Sequence, residues 1–300
     1  MMRGISFVSG TPKFSVRLCC GAGEKSILHG MRNILITGSS HGIGAGCAIA
    51  FARDEGANVG ITCNRNPAGA EAVAAECEKY GVKTKIYAGD VGSHDHCRAM
   101  VEDFVKTFGR IDVLVNNAGG ALQIPGGPKG EFKDMPMEYW DSQIALNLNA
   151  AAYCARYAVA DMVEKKTEGR IVNVSSVHGQ VTWVHRRMLP YSAGKGGLNM
   201  FTKALGVEVA KYGIRVNCVA PGLIFTKLAE RYSKEDIASF SRKIPVGRGG
   251  TVEEIVPMIQ FLADVEKTRF IVGQVICVDG GQSCDGSIES MNFPMREVEA

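Results

Sequence analysis

Three hundred residues, 46% of them hydrophobic and 7% aromatic, can bury one large core or two modest ones. Thirty-four Lys and Arg against 31 Asp and Glu leave a net charge of +3 with no basic run, which argues against a nucleic-acid surface, and no apolar run reaches the roughly 18 to 20 residues of a membrane span. The expected partners are a small molecule and further copies of the chain. Ten cysteines are scattered, several within apolar runs (Cys47, Cys154, Cys218, Cys277), and no C-x-x-C occurs, so they read as buried thiols of a reducing compartment, the cytoplasm. His94-Asp95-His96-Cys97 follows Ser93, a plausible N-cap, and splays around a helix rather than converging on a metal, so no metal site is expected.

In chain order, residues 1–30 carry Arg3, Lys13, Arg17 and Lys25 against one acid, Glu24, with serines between. That is the composition of an organellar transit peptide, for mitochondrion or plastid. The alternative is a mis-set start, since Met31 directly precedes the first strand, and this reading is adopted. From Met31, apolar strands alternate with helical stretches: a strand at 33–37, a helix to about 55, a strand at 58–63 and a helix at 67–80. The strand 83–88, a helix at about 93–108 and the strand 111–115 follow. A helix at about 140–162, the strand 170–174, a helix at 191–211 and strands at 215–219 and 274–278 complete the pattern. Such alternation predicts an α/β fold, a doubly wound parallel sheet covered on both faces, in a single domain over 31–281 with a tail at 282–300. Ligands bind such sheets at the carboxyl ends of the strands.

Those ends hold the unusual residues. After the first strand, Gly38, Gly42 and Gly44 form G-x-x-x-G-x-G before an alanine-rich helix, a turn that lets phosphates approach the backbone at a helix N-terminus. Ala45-Gly46-Cys47 follows instead of Lys-Ser/Thr, so this is not a P-loop. Asp90 follows the third strand, Asn116-Asn117-Ala118-Gly119 the fourth, Ser175-Ser176 the fifth and Pro221-Gly222 the sixth. Tyr191 alone among eight tyrosines has Lys four residues on, Lys195, so one helix face presents both. A cation beside a phenol lowers its pKa toward general acid/base work near neutrality.

Thr37-Gly38-Ser39-Ser40-His41-Gly42-Ile43-Gly44, Asp90-Val91, Asn116-Asn117-Ala118-Gly119, Asn147, Ser176, Tyr191 with Lys195, and Pro221-Gly222 with Thr226 resemble, in order and spacing, the short-chain dehydrogenase/reductase family. The resemblance covers about 31–281. It implies a Rossmann fold and an oxidoreductase moving hydride between a nicotinamide nucleotide and a secondary alcohol or ketone. It also implies roles: Tyr191 as acid or base, Lys195 lowering its pKa and holding the nicotinamide ribose, Ser176 bonding the substrate oxygen, and Asn147 fixing a water that links Lys195 to solvent. Ser176 is chosen over Ser175 because Ser176-Val-His-Gly179 matches the family's Ser-x-x-Gly, and neighbours on a strand face opposite ways. The implied cofactor contacts are Gly38, Ser40, His41, Gly42, Ile43 and Gly44, then Arg65, Asp90, Val91, Asn117, Ala118 and Gly119. Tyr191, Lys195, Pro221, Gly222, Ile224 and Thr226 complete them. The interval from Ser176 to Tyr191, 191 − 176 = 15, exceeds the family's usual 12 or 13.

Cys63-Asn64-Arg65-Asn66 ends the second strand without the carboxylate that accepts the ribose hydroxyls of NAD, and Arg65, with His41, suits the 2′-phosphate of NADP. NADP is expected, with NAD the alternative. Trp183, His185, Arg186 and Arg187 lie between Ser176 and Tyr191, where the family borders its substrate; the arginines suit an anionic substrate or a solvated rim. A small alcohol or ketone, a sugar or a steroid-like molecule is the expected substrate. The alternatives are a 3-oxoacyl-thioester (acyl-carrier-protein) reductase, for which Lys165, Lys166 and Lys211 are near the positions used, and a non-catalytic nucleotide sensor or scaffold. Alanine-rich helices at 140–162 and 191–211 suit the family's pairing into a homotetramer, and the tail with Met291, Phe293 and Met295 is expected to reach a neighbour.

Overall fold

The structure is a computed structural model that describes residues 31–121, 132–182, 188–226, 233–242 and 244–284. Trp183, His185, Arg186, Arg187, the first thirty residues and the tail beyond Cys284 lie outside the described residues.

Seven parallel strands form one sheet: β1 (Asn33–Ile36), β2 (Asn58–Cys63), β3 (Thr84–Ala88), β4 (Val113–Asn116), β5 (Arg170–Val174), β6 (Arg215–Pro221) and β7 (Val275–Val278), in the order β3-β2-β1-β4-β5-β6-β7. The order reverses between β1 and β4, which opens a crevice at their carboxyl ends. Strand side chains alternate between two apolar layers. Ile34, Ile36, Val113 and Val115 pack with Phe51 and Ile259 under helices α1 (Gly42–Glu55), α2 (Pro67–Glu78) and α8 (Val252–Ala263). Leu35, Leu114 and Ile171 pack with Phe104 and Met162 under α3 (His94–Phe108), α5 (Ala150–Glu164) and α6 (Leu189–Val209). The remaining helices are α4 (Met137–Ile144) and α7 (Lys234–Ser241). No helix among the described residues is long and apolar enough to cross a membrane. The eight cysteines among them are all free thiols.

Three departures from the sequence reading have local causes. The helix expected from Trp140 begins at Met137, because the extended Pro136 serves as its N-cap. It is interrupted at Ala145–Asn149 by a π-turn before continuing as α5. The sequence reading contained no helix at 252–263, yet α8 starts with a reciprocal capping box between Thr251 and Glu254 and tolerates Pro257 within it.

Buried polar groups register the layers. Asn116 Nδ2 donates to Asn173 Oδ1 at 2.9 Å, Asn173 Nδ2 to Thr202 Oγ1 at 2.8 Å, and Thr202 Oγ1 to Leu198 O at 2.8 Å, a seam from β4 through β5 to α6. At the opposite end of the sheet, Arg170 is fully buried and, among the described residues, has no ion-paired carboxylate. Its guanidinium donates to the carbonyls of Glu168, Gly169, Gly213 and Val265 and to Thr268 Oγ1, and burial moves its pKa down to about 10. It staples three loops at once. Replacing Arg170 with Met keeps the stem and orphans these acceptors, and should lower the unfolding free energy in urea by about 3 kcal/mol. An unchanged denaturation midpoint would show that the staple adds nothing.

Candidate active site

The loop between β1 and α1 is built for close approach. Gly38 has φ +64°, and a Cβ there would come within 2.8 Å of the Ala118 Cα; a Cβ on Gly44 would meet the Gly38 carbonyl at 2.5 Å. Thr37 Oγ1 accepts from the N–H groups of both Asn117 and Ala118 at 3.0 Å, and Asn117 Nδ2 donates to the Thr37 and Gly38 carbonyls at 2.9 Å. Asn117 therefore braces the loop through its side-chain nitrogen. The first turn of α1 carries no acidic side chain, so its N–H groups and positive dipole face the crevice. His41 is its exposed N-cap residue and makes no side-chain capping bond; Ser40 is buried beside it and Ile43 packs against the core.

Around this loop the other strand ends gather. Asn66 Nδ2 donates to the Ser40 carbonyl at 3.3 Å, which brings the exposed Arg65 to the same rim as His41. Arg65 makes no hydrogen bond or ion pair among the described residues. Asp90 is exposed after β3, its Oδ1 accepting from Gly92 N at 2.9 Å, whereas the Val91 side chain is core. Past Pro221, Gly222 N donates to Val278 O, and Ile224 forms a bridge with Gly250. A Cβ on Gly42 would lie 3.5 Å from Thr226 Cγ2, so this segment runs over the start of α1.

The residues expected to act as acid, base and positioning groups lie on the other side of the crevice, at the ends of β4 and β5 and the start of α6. Lys195 is 2% exposed, and its Nζ donates to Val174 O at 2.8 Å. Desolvation lowers its pKa to about 8, with Cys218 a minor opposing influence. Asn147, on the π-turn, receives Gly120 N at Oδ1 (2.9 Å) and donates from Nδ2 to Gly120 O and Gln143 O. A Cβ on Gly119 would lie 2.7 Å from Lys195 Nζ and 2.9 Å from Asn147 Oδ1, so only glycine leaves these two groups facing one space.

Ser175 and Ser176 engage different partners. Ser175 Oγ donates to Lys195 O at 3.1 Å, a structural tie to α6, while Ser176 Oγ accepts from His178 N at 3.2 Å and is a hydrogen-bonding neighbour of Tyr191. The Tyr191 ring lies 5.8 Å from Lys195 Nζ and edge-on to His178, with ring centroids 5.9 Å apart. Here the expected direction of the tyrosine shift is reversed. Burial raises the Tyr191 pKa above its ordinary value, and the interaction with Ser176 offsets only part of that. The sequence reading also missed Gln143, Asn173 and Thr202; a polar residue inside the apolar run Arg-Ile-Val-Asn-Val was the available signal for Asn173. Among the described residues no His, Cys, Asp or Glu cluster could hold a metal.

Residues 38–283 match the family model described as enoyl-(acyl carrier protein) reductase. The chain is 36% identical over 249 residues to a sorbose reductase of Candida albicans (83% of this chain, 86% of that one) and 36% identical over 247 residues to a 3-oxoacyl-[acyl-carrier-protein] reductase of Synechocystis (82% and 95%). Its fold is similar to the crystal structure of an acetoin dehydrogenase from Salmonella typhimurium, with a TM-score of 0.75 at 31% identity, covering 85% of this chain and 97% of that one. The chain belongs to the short-chain dehydrogenase/reductase family. It is an oxidoreductase of the CH–OH/C=O class, transferring hydride between an alcohol or carbonyl carbon and a nicotinamide nucleotide. The glycine cradle and the open helix N-terminus fit the pyrophosphate of such a nucleotide.

The buried lysine has a measurable signature. A lysine that falls from 10.5 in the unfolded chain to about 8 when folded is bound to more protons unfolded than folded between those values, so stability rises with pH across that window. The stability difference between wild type and Lys195→Met, without nucleotide, should move in favour of wild type from pH about 8 to about 10.5. A pH-independent difference would place the lysine outside the protein interior.

Proposed function

We propose that this enzyme reduces a small oxygen-rich ketone, or oxidises the corresponding secondary alcohol, with NADP as the preferred nucleotide. The observation that carries the reading is that Ser176 and Tyr191 are side-chain neighbours, with Lys195 Nζ 5.8 Å from the Tyr191 ring. Two neighbouring hydroxyls can polarise one oxygen, which suits a carbonyl better than a carbon–carbon double bond. Tyr191, held protonated, donates to the carbonyl oxygen; Ser176 fixes that oxygen; Lys195 supplies positive charge as the phenolate forms. The bound nicotinamide supplies or receives the hydride.

The names of the relatives, a sorbose reductase and an acetoin dehydrogenase, support a small hydroxylated ketone. The second reading, an acyl-carrier-protein thioester, is supported by the Synechocystis relative. It is weakened by Lys165, whose ammonium is engaged by Gly109 O and Asp161 and is not offered to an acidic partner. A homotetramer pairing through α5 and α6 is supported by the outward face of α6, where Met200 and Val207 are exposed, and sedimentation velocity would read it directly. The free thiols support a reducing, cytoplasmic setting.

Replacing Tyr191 with Phe should reduce kcat at least about 100-fold against every carbonyl substrate found in a screen of ketoses, hydroxyketones and 3-oxoacyl thioesters. Turnover at the wild-type rate would overturn the mechanism. On the nucleotide side, His41 and Arg65 should give a higher kcat/KM with NADPH than with NADH, and Arg65→Asp should invert that order by placing a carboxylate where a 2′-phosphate would sit. A wild-type preference for NADH would refute the assignment.

A further inference from the structure

Gln143 belongs to none of the motifs, yet it is a wholly buried amide in direct contact with Asn147. It lies on α4 one turn before Asn147 and is wholly buried. Its Oε1 accepts from Asn147 Nδ2 at 3.2 Å, its main-chain oxygen accepts from the same atom at 3.0 Å, and the Gly120 carbonyl does so at 3.1 Å. Two hydrogens on Nδ2 thus meet three acceptors, which pins the Asn147 amide with its Oδ1 toward Gly120 N. Gln143 Nε2, in contrast, is buried without a hydrogen-bond partner. A Leu or Met would fill this position without stranding a donor, and a buried amide of this kind is ordinarily satisfied by an internal water.

We propose that Gln143 is a positioning residue for proton transfer: its Oε1 sets the orientation of the Asn147 amide, and its Nε2 holds a water on the polar path that leads from Lys195 past Asn147. The inference rests on the roles given above to Tyr191, Lys195 and Asn147. Three observations place Gln143 on that path. Lys195 Nζ and Asn147 Oδ1 face one space kept open by Gly119. The Cβ that Gly194 lacks would touch Asn147 Cβ at 2.9 Å and lie 3.7 Å from Gln143 O, so α6 rests on this turn. The backbone turns through a π-turn at Asn147, directly after Gln143's helix. In carbonyl reduction one proton leaves the Tyr191 hydroxyl for the substrate oxygen, and one proton from solvent replaces it by way of Lys195. The amide orders water and is not itself protonated.

Two variants test this. Gln143→Met keeps the volume and removes both hydrogen-bonding functions; it should lower kcat about tenfold and enlarge the solvent deuterium effect on kcat, with both KM values within about twofold of wild type. Gln143→Glu keeps the shape and adds a carboxylate near Lys195, which should hold the lysine proton to higher pH and move the alkaline limb of the reduction profile upward. The Glu variant carries the test if the Met variant does not fold. A Met variant with wild-type kcat and isotope effect, or a Glu variant whose pH profile superimposes on wild type, would overturn the role of Gln143 alone. Full turnover by Tyr191→Phe would overturn it together with the mechanism beneath it.

Discussion

An ammonium group placed in the protein interior is the constraint on which the site depends. Lys195 has given up nearly all its hydration, and burial has drawn its pKa to about 8, within reach of the pH at which enzymes work. One carbonyl, Val174 O, compensates for part of that loss. Such an arrangement is poor for stability and suited to acid/base chemistry, because a lysine near its own midpoint can give and recover a proton without a large change in free energy. Gly119 and Gly194 belong to the same requirement, since a side chain at either would push into the lysine or into Asn147.

Holding that charge in register with its neighbours requires rigidity, and the seam from Asn116 through Asn173 to Thr202 provides it. Three elements supply the four residues of the proposed mechanism: the π-turn carries Asn147, the end of β5 carries Ser176, and α6 carries Tyr191 and Lys195. A slip of α6 along the sheet would break the Thr202 bond to Asn173 and the Ser175 bond to Lys195 O together, so the helix has one seat. Buried hydrogen bonds of this kind penalise misalignment more than they reward alignment. In the proposed mechanism Tyr191 enters the reaction as a neutral donor, because burial raises the pKa of its phenol.

Much of this was legible in the sequence, for physical reasons that differ by element. Strands β2 and β5 run over the residues expected because both are short, mainly apolar stretches bounded by polar or turn residues, Asn58–Cys63 and Arg170–Val174. The parallel sheet followed from the alternation. The glycine loop was legible because its steric demand excludes other residues. What escaped has no one-dimensional trace. The π-turn at Asn147 depends on packing against α6, the engagement of Lys195 by Val174 O involves a backbone atom, and the orphaned amide of Gln143 becomes visible only when its neighbours are in place. Helix α8 is different, since its capping box was present in Thr251 and Glu254; Pro257 broke the apparent helical run.

The two halves of the crevice also differ in how freely they can change. His41 and Arg65 stand exposed on the rim, where a substitution disturbs no packing and alters little beyond the charge offered to a ligand. Asn147, Lys195 and Gln143 are buried and joined by hydrogen bonds to backbone or to one another, so any one of them can be replaced only with loss to the others. On the proposed roles of these residues, nucleotide choice can shift while proton transfer stays fixed. Substrate choice should follow the same logic and reside in the loops above β5 and β6, where the longer interval between Ser176 and Tyr191 already sets this chain apart. A single buried apparatus can then serve many substrates, which is how relatives with the same fold come to act on a ketose, a hydroxyketone and an acyl thioester.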